Sequence, residues 1–180
     1  MRLSVFGIGY VGTVVAACLA RDGHSVCAVD INQDKVDALA RGRSPVIEPG
    51  LQALVEHGRR SGRLTATSDP ALAVSQSDMS LVCVGTPGLP DGSPDRSHLL
   101  RAVEQLGSLL AAKPAFHSVV VRSTVLPGTT EELVIPLLEK MSGKRAGIDF
   151  GVGYLPEFLR EGSAIADHDD PRTLVLEALD

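Results

Sequence analysis

The chain has 180 residues, of which 44% are hydrophobic and 22% are charged, as in an ordinary globular protein. This length suffices for one well-buried domain and is too short for two large ones. The formal net charge is -5, only 3% of residues are aromatic and no basic block occurs, so we expect no nucleic-acid partner. No apolar run approaches a bilayer span, so we expect no membrane partner either.

Short apolar runs that predict strands alternate with helical patterns along the chain. The strand patterns fall at 2–6, 25–30, 64–67, 79–84, 118–122 and 148–153, with 173–176 as a further candidate. The helical patterns fall at 10–22, 33–41, 51–60, a short stretch from residue 70, 97–112 and 129–141. This alternation predicts an α/β fold, a Rossmann-like doubly wound and mostly parallel sheet with helices on both faces. We expect one domain over residues 1–180.

The first strand pattern runs directly into the glycine motif Gly7-x-Gly9-x-x-Gly12, and a helical pattern follows at once. In this context Gly7 permits a sharp turn, Gly9 lets a pyrophosphate approach the backbone, and Gly12 lets the helix lie close to the strand. The N-terminus of the helix then offers free N–H groups and the positive end of its dipole. The motif therefore predicts a dinucleotide site.

Asp30 ends the second strand pattern, roughly 20 residues beyond the glycines, where the dinucleotide fingerprint has an acidic residue. A carboxylate here accepts hydrogen bonds from the ribose hydroxyls and repels a 2′-phosphate. Ile31 and Asn32 supply no arginine for such a phosphate, so NAD is predicted rather than NADP. Alternatively, Asp30 caps the helix that begins near Gln33, and the two roles can coexist.

Polar loops are expected to meet at one edge of the sheet. The four longest irregular segments are 44–50, 85–94, 123–130 and 153–162. Three of them follow directly on a strand, so in a parallel sheet they share the carboxyl edge, where ligands of open α/β sheets bind. Thr86 and Thr124 could donate hydrogen bonds there to a ribose or phosphate, and turn formation explains them equally well.

Several charged residues near these loops have two interpretations each. Glu48 is expected to be a solvated loop charge, and Lys35 either reaches a cofactor phosphate or ribose or is a surface lysine. Glu157 and Glu161 would share one helix face and repel each other. One could orient a water or accept a proton while the other holds a polar substrate. Alternatively, the segment is a surface turn in which Arg160 neutralises both glutamates.

The cysteines and histidines predict neither a disulfide nor a metal site. Cys18, Cys27 and Cys83 are widely spaced in apolar runs, where a free cysteine behaves as a small hydrophobe. The five histidines are scattered without metal-ligand spacing. Because free thiols suit a reducing compartment and the first strand begins at residue 2, we expect a cytoplasmic protein without a signal peptide.

Taken in order, five strings resemble those of the nucleotide-sugar 6-dehydrogenases, the family of UDP-glucose and GDP-mannose 6-dehydrogenases. They are Gly7-Ile-Gly-Tyr-Val-Gly12, Glu48-Pro-Gly-Leu51, Val84-Gly-Thr-Pro87, Ser123-Thr-Val-Leu-Pro-Gly-Thr129 and Pro156-Glu-Phe-Leu-Arg-Glu-Gly162. Three further strings resemble the GDP-mannose branch: Val121 to Thr129, Val134-Ile-Pro-Leu-Leu-Glu139 and Ser142 to Val152.

The resemblance implies a role for each matching residue. The positions expected to contact NAD are those of the glycine motif with Tyr10, Val11, Asp30, Lys35, Thr86 and Thr124. Glu157 matches a glutamate of the late hydrolytic step, and Thr124 is expected beside it in the catalytic site. The sugar nucleotide is expected to lie against Phe158, Leu159, Arg160 and Glu161. Leu155 stands where the family usually has asparagine, so a polar contact is lost there.

The family oxidises a primary alcohol to a carboxylate in two hydride transfers, through a cysteine thiohemiacetal and a thioester. In the family that cysteine lies beyond residue 180, and none of the three cysteines here matches its motif. The resemblance thus implies the cofactor domain of a longer, homo-oligomeric enzyme that makes GDP-mannuronate from GDP-mannose for a polysaccharide such as alginate. The 180 residues alone should not catalyse the oxidation of a nucleotide sugar. The alternatives are UDP-glucose or another nucleotide sugar as substrate, or a stand-alone NAD-binding module without chemistry.

Overall fold

A computed structural model describes residues 1–171, 173 and 175–178. The strands are β1 (Arg2–Phe6), β2 (Ser25–Val29), β3 (Leu64–Thr67), β4 (Met79–Val82), β5 (Ser118–Val121), β6 (Gly151–Tyr154) and β7 (Glu177–Ala178). The helices are α1 (Tyr10–Arg21), α2 (Gln33–Ala40), α3 (Leu51–Arg60), α4 (Pro70–Gln76), α5 (Ser97–Ala111), α6 (Ile135–Ser142) and α7 (Ala164–Asp169). A π-helical turn, Thr130–Val134, leads into α6.

The strands form one sheet in the order β3-β2-β1-β4-β5-β6-β7. The first six strands are parallel, and the two-residue β7 pairs antiparallel with the end of β6. The order 3-2-1-4-5-6 is that of the dinucleotide-binding fold, whose ligand crevice opens where the order reverses, between β1 and β4. The predicted doubly wound sheet is confirmed.

Apolar side chains cover both faces of the sheet, which explains why the strands read as continuous apolar runs. On one face Val5 of β1 is buried in a cluster with Val14 and other residues of α1. On the other face Phe6 belongs to a second cluster, which includes Leu106 of α5. The sheet is thereby held between helical layers, and its carboxyl edge stays free for the loops.

Several elements differ from the sequence prediction. The strand predicted at 148–153 begins only at Gly151, because the N–H groups of Ile148 and Asp149 donate to the Arg145 carbonyl in a turn. The strands predicted at 79–84 and 118–122 end at residues 82 and 121. Helix α7 had not been predicted.

The candidate strand at 173–176 includes Leu174, which lies outside the described residues. The described residues of that stretch are not in a strand, and the final strand follows it, with Glu177 opposite Tyr154 and Ala178 opposite Gly153. Among the helices that the structure describes, none combines the length and apolar character needed to cross a bilayer.

Candidate functional site

The three glycines of the motif have different surroundings. Gly7 has φ +100°, and a Cβ there would lie 2.8 Å from the Cys83 carbonyl oxygen. A Cβ on Gly12 would lie 1.8 Å from the carbonyl oxygen of Gly7. A Cβ on Gly9 would meet no atom within 4 Å. The fold itself therefore requires glycine at positions 7 and 12, whereas Gly9 borders open space beside the start of α1.

Helix α1 begins beside that open space without a side-chain cap. Its N-cap is Gly9, and the first N–H to bond within the helix is that of Thr13, which donates to the Gly9 carbonyl at 3.0 Å. The N–H groups of Tyr10, Val11 and Gly12 precede this bond and have no intrahelical acceptor. Uncapped donors, the helix dipole and room for an approaching group together fit a pyrophosphate.

Asp30 lies at the carboxyl end of β2 and holds the glycine loop in place. Its Oδ2 accepts the Ile8 N–H at 2.6 Å, and its Oδ1 accepts the Asn32 N–H at 2.8 Å. The cap of α2 is Asn32, whose side chain accepts the N–H groups of Asp34 and Lys35. The alternative that made Asp30 the cap is therefore wrong. Each Asp30 oxygen keeps a further lone pair for a ribose hydroxyl.

Thr86 and Thr124 connect the loops that follow β4 and β5. The Thr86 hydroxyl donates to the Thr124 carbonyl at 2.8 Å. Both line a cavity of about 700 Å³ together with Pro87 and Leu126. The hydrogen bond joins the two loops and Thr124 is exposed, and a contact of either threonine with a ribose or phosphate stays a prediction. Lys35 is half-buried in the first turn of α2.

The segment 155–160 is irregular rather than helical, so Glu157 and Glu161 do not share a helix face. Glu157 accepts the N–H of Leu159 at 2.9 Å, and Glu161 is exposed. Arg160 does not neutralise these glutamates. Its guanidinium pairs with Asp167 of α7, with Nη2 2.6 Å from Oδ1, and the bonded guanidinium holds the pKa of the Asp167 carboxyl well below its usual range.

The residues expected to contact a sugar nucleotide differ in exposure. Leu159 packs against the apolar core, whereas Phe158 is 56% exposed. A cleft of about 370 Å³ is lined by Phe158, Leu159 and Arg160, among others. Leu155, which replaces the family asparagine, also packs against the core, and its N–H donates to the Val121 carbonyl at 2.9 Å. Burial thus anchors the start of this segment.

Glu48 is the residue for which the sequence prediction was wrong. It is buried, not solvated: its Oε2 accepts the Tyr10 hydroxyl at 2.5 Å and the Gly162 N–H at 2.8 Å, and its Oε1 accepts the Ala164 N–H at 2.9 Å. The bond from Tyr10, with the two backbone donors, lowers the pKa of Glu48. Burial and the bond to Glu48 raise the pKa of Tyr10 to about 12.

None of the three cysteines is suited to act as a nucleophile. All are free; Cys18 and Cys83 are buried and Cys27 is half-buried. Burial raises the pKa of the Cys18 thiol to about 11 and that of Cys83 to about 12, and it also raises that of Cys27. These thiols are therefore protonated at neutral pH, whereas the attacking form is the thiolate. The part of the chain that the structure describes contains no cluster of three metal-binding side chains.

The structure thus brings the predicted site residues to one sheet edge in three groups. The glycine motif, with Tyr10 and the half-buried Val11, adjoins Asp30 through the Ile8 N–H. The loop that carries Thr86 adjoins the motif because the Cys83 N–H donates to the carbonyl of Phe6, the residue before Gly7. The segment that carries Glu157 joins it through Glu48. The only sequence signal for Glu48 was its place in the string Glu48-Pro-Gly-Leu51.

Comparison with known proteins identifies relatives along the whole chain. The sequence profile of the "UDP-glucose/GDP-mannose dehydrogenase family, NAD binding domain" matches residues 1–178. The chain is 51% identical over 180 residues to GDP-mannose 6-dehydrogenase of Pseudomonas aeruginosa, covering 100% of this chain and 41% of that protein. It is 45% identical over 179 residues to UDP-glucose 6-dehydrogenase of Haloferax volcanii, covering 99% of this chain and 41% of that protein.

A solved structure agrees with these relatives. The crystal structure of a ternary complex of GDP-mannose dehydrogenase from Pseudomonas aeruginosa superimposes with a TM-score of 0.98 and 50% identity, covering 100% of this chain and 41% of that one. The chain therefore spans about two fifths of the length of the relatives that it matches.

Proposed function

This chain belongs to the UDP-glucose/GDP-mannose dehydrogenase family, and we propose that it is the NAD-binding part of a GDP-mannose 6-dehydrogenase. The observation that carries cofactor binding is the open space at Gly9, beside an uncapped helix start and the Asp30 carboxylate. The observation that favours GDP-mannose is the 51% identity to a GDP-mannose 6-dehydrogenase, against 45% to a UDP-glucose 6-dehydrogenase.

The residues present fit NAD, which would accept hydride in this site. We propose that the N–H groups at the start of α1, including those of Tyr10 and Val11, receive the pyrophosphate. Asp30 would accept hydrogen bonds from the adenosine ribose and repel a 2′-phosphate. Lys35, Thr86 and Thr124 complete the proposed contacts.

In the proposed reaction, a primary alcohol of GDP-mannose is oxidised by four electrons to the carboxylate of GDP-mannuronate. A cysteine from outside these 180 residues would form the thioester, because Cys18 and Cys83 are buried, Cys27 is half-buried, and all three thiols are protonated at neutral pH. In the last step water adds to the thioester carbonyl, the thiol leaves, and Glu157 would accept the proton of the water with Thr124 nearby. Phe158, Leu159, Arg160 and Glu161 would line the sugar-nucleotide site.

Several wider assignments belong to this proposal. We propose that the complete protein acts as a homo-oligomer in the cytoplasm and supplies GDP-mannuronate for an acidic polysaccharide of the alginate type. The three free thiols support the reducing compartment.

The experiment is a steady-state assay of NADH formation by the complete protein with GDP-mannose and with UDP-glucose. We expect a higher kcat/KM for GDP-mannose. A preference for UDP-glucose, the second candidate because of the 45% identity to a UDP-glucose 6-dehydrogenase, would replace the proposed substrate. Steady turnover by the 180-residue chain alone would contradict the proposal that the catalytic cysteine lies outside it. NAD binding without turnover by the complete protein would favour a non-catalytic module.

A further inference from the structure

We propose that Glu48 is a positioning residue that couples the cofactor site to the sugar-nucleotide segment, so that each ligand strengthens the binding of the other. The inference rests on the proposed function, since it assigns ligands to both sites. It concerns a residue that is assigned to neither proposed ligand and lies in the loop before α3.

The carboxylate of Glu48 joins three separate parts of the chain. The Tyr10 hydroxyl comes from the first residue of α1, whose N–H is one of the proposed pyrophosphate donors. The Gly162 N–H directly follows Phe158 to Glu161, and the Ala164 N–H begins α7. Ser163, the N-cap of α7, makes no side-chain cap of its own, so Glu48 supplies this cap from a distant loop.

The three hydrogen bonds depend on one another because they stabilise one buried charge. Within the described part of the chain, no Lys, Arg or His lies within ion-pair distance of Glu48. Its charge is therefore stabilised by one hydroxyl and two backbone N–H groups. If Tyr10 moves away, a buried carboxylate loses one of three donors, which is costly in a low-dielectric site. The bonds to Gly162 and Ala164 then change as well.

This dependence gives the direction of the coupling. A pyrophosphate that fixes the backbone of Tyr10 also limits the positions of its hydroxyl and hence of Glu48. The segment that ends at Gly162 is then held closer to a single conformation. Less conformational entropy is therefore lost when a sugar nucleotide binds to it. Because binding coupling is reciprocal, the sugar nucleotide must strengthen cofactor binding by the same factor.

The test measures this factor by calorimetry on the complete protein. GDP-mannose is titrated with and without saturating NADH, a pair that cannot turn over because neither ligand can accept hydride from the other. In the wild type we expect NADH to tighten GDP-mannose binding by about 5-fold or more, the lower end of typical couplings. In Glu48→Gln the factor should fall to near 1, and Glu48→Asp, which keeps the charge, should retain part of it.

Two further variants separate coupling from simple loss of structure. Tyr10→Phe removes only the hydroxyl, so the protein should stay folded while the coupling factor falls. Glu56→Gln removes an exposed carboxylate of α3 and should leave the factor at the wild-type value. If Glu48→Gln fails to fold, Tyr10→Phe still decides, because it keeps the Glu48 carboxylate and removes only one of its three donors.

The outcomes separate this inference from the proposed function. Binding of both ligands with a wild-type factor near 1, or an unchanged factor in both Glu48→Gln and Tyr10→Phe, would overturn the coupling alone. A purely structural Glu48 would lower the thermal midpoint and both affinities and leave the factor unchanged. Failure of the wild type to bind NADH would contradict the proposed function and this inference with it.

Discussion

Replacing Gly9 by alanine should remove cofactor binding and leave the fold intact. The added methyl group meets no protein atom within 4 Å, and Gly9 has φ -87°, which alanine adopts freely. The stability should therefore change by no more than about 0.5 kcal/mol, as at a surface position. The same methyl group occupies the space through which a phosphate reaches the N–H groups of α1. Loss of one or two charge-assisted hydrogen bonds costs about 2–4 kcal/mol, or about 30- to 1,000-fold in Kd.

The matched variant is Gly12→Ala, for which the opposite result is expected. Its Cβ would lie 1.8 Å from the Gly7 carbonyl oxygen, so backbone must move. We expect a loss of about 3 kcal/mol or more, the upper end for overpacking, and a thermal midpoint lower by about 6–12 °C. Calorimetric titration with NAD and thermal unfolding, applied to both variants, complete the test. A folded Gly9→Ala protein that binds NAD as tightly as the wild type would refute the reasoning.

Three other predictions concern single groups. Asp30→Asn should weaken NAD binding and narrow the preference for NAD over NADP; unchanged Kd values for both dinucleotides would argue against a ribose contact. His117 is fully buried with Nε2 2.8 Å from the Ser80 hydroxyl, and burial lowers its pKa to about 4. Below pH 6.5 the imidazole of His117 therefore binds a proton in the unfolded state but stays neutral in the native state. The free energy of unfolding should fall by on the order of 2 kcal/mol as the pH is lowered from 6.5 to 4. Denaturant unfolding at several pH values should show that the free energy of unfolding falls less steeply with decreasing pH in His117→Phe. An equally steep fall in that variant would exclude His117 as the cause of the pH dependence. Native protein should react slowly with a thiol reagent at Cys18 and Cys83, and both should react after unfolding; rapid native labelling of either would contradict their burial.

The six parallel strands could be predicted because their signals are local. An apolar run such as Met79–Val82, followed by a loop, is visible in a short window of sequence, and the alternation with helices then limits the topology. The glycine motif with Asp30 is likewise local to the first βαβ unit. Hence the doubly wound, mostly parallel sheet could be predicted from the sequence, together with the edge at which the candidate residues lie.

The errors arose where distant residues decide the structure. Glu48 is buried because its backbone donors lie 114 and 116 residues further along the chain, and no window around residue 48 contains them. The short helix α7 depends on the same carboxylate for its cap. The late start of β6 has a local cause instead, the hydrogen-bonded turn around Arg145, which also uses the Asp149 side chain. A pattern of apolar residues contains no information on such bonds.

The contact between Gly12 and the Gly7 carbonyl has a kinetic consequence. The backbone at the start of α1 lies directly against the turn that follows β1. The glycine loop therefore cannot change its conformation to fit around a ligand. Such a site is preorganised, and little conformational entropy is lost there on binding. The rate of cofactor association should then depend on diffusion and orientation rather than on a rearrangement of the loop. The slow step of complex formation would then belong to the irregular segment around Phe158.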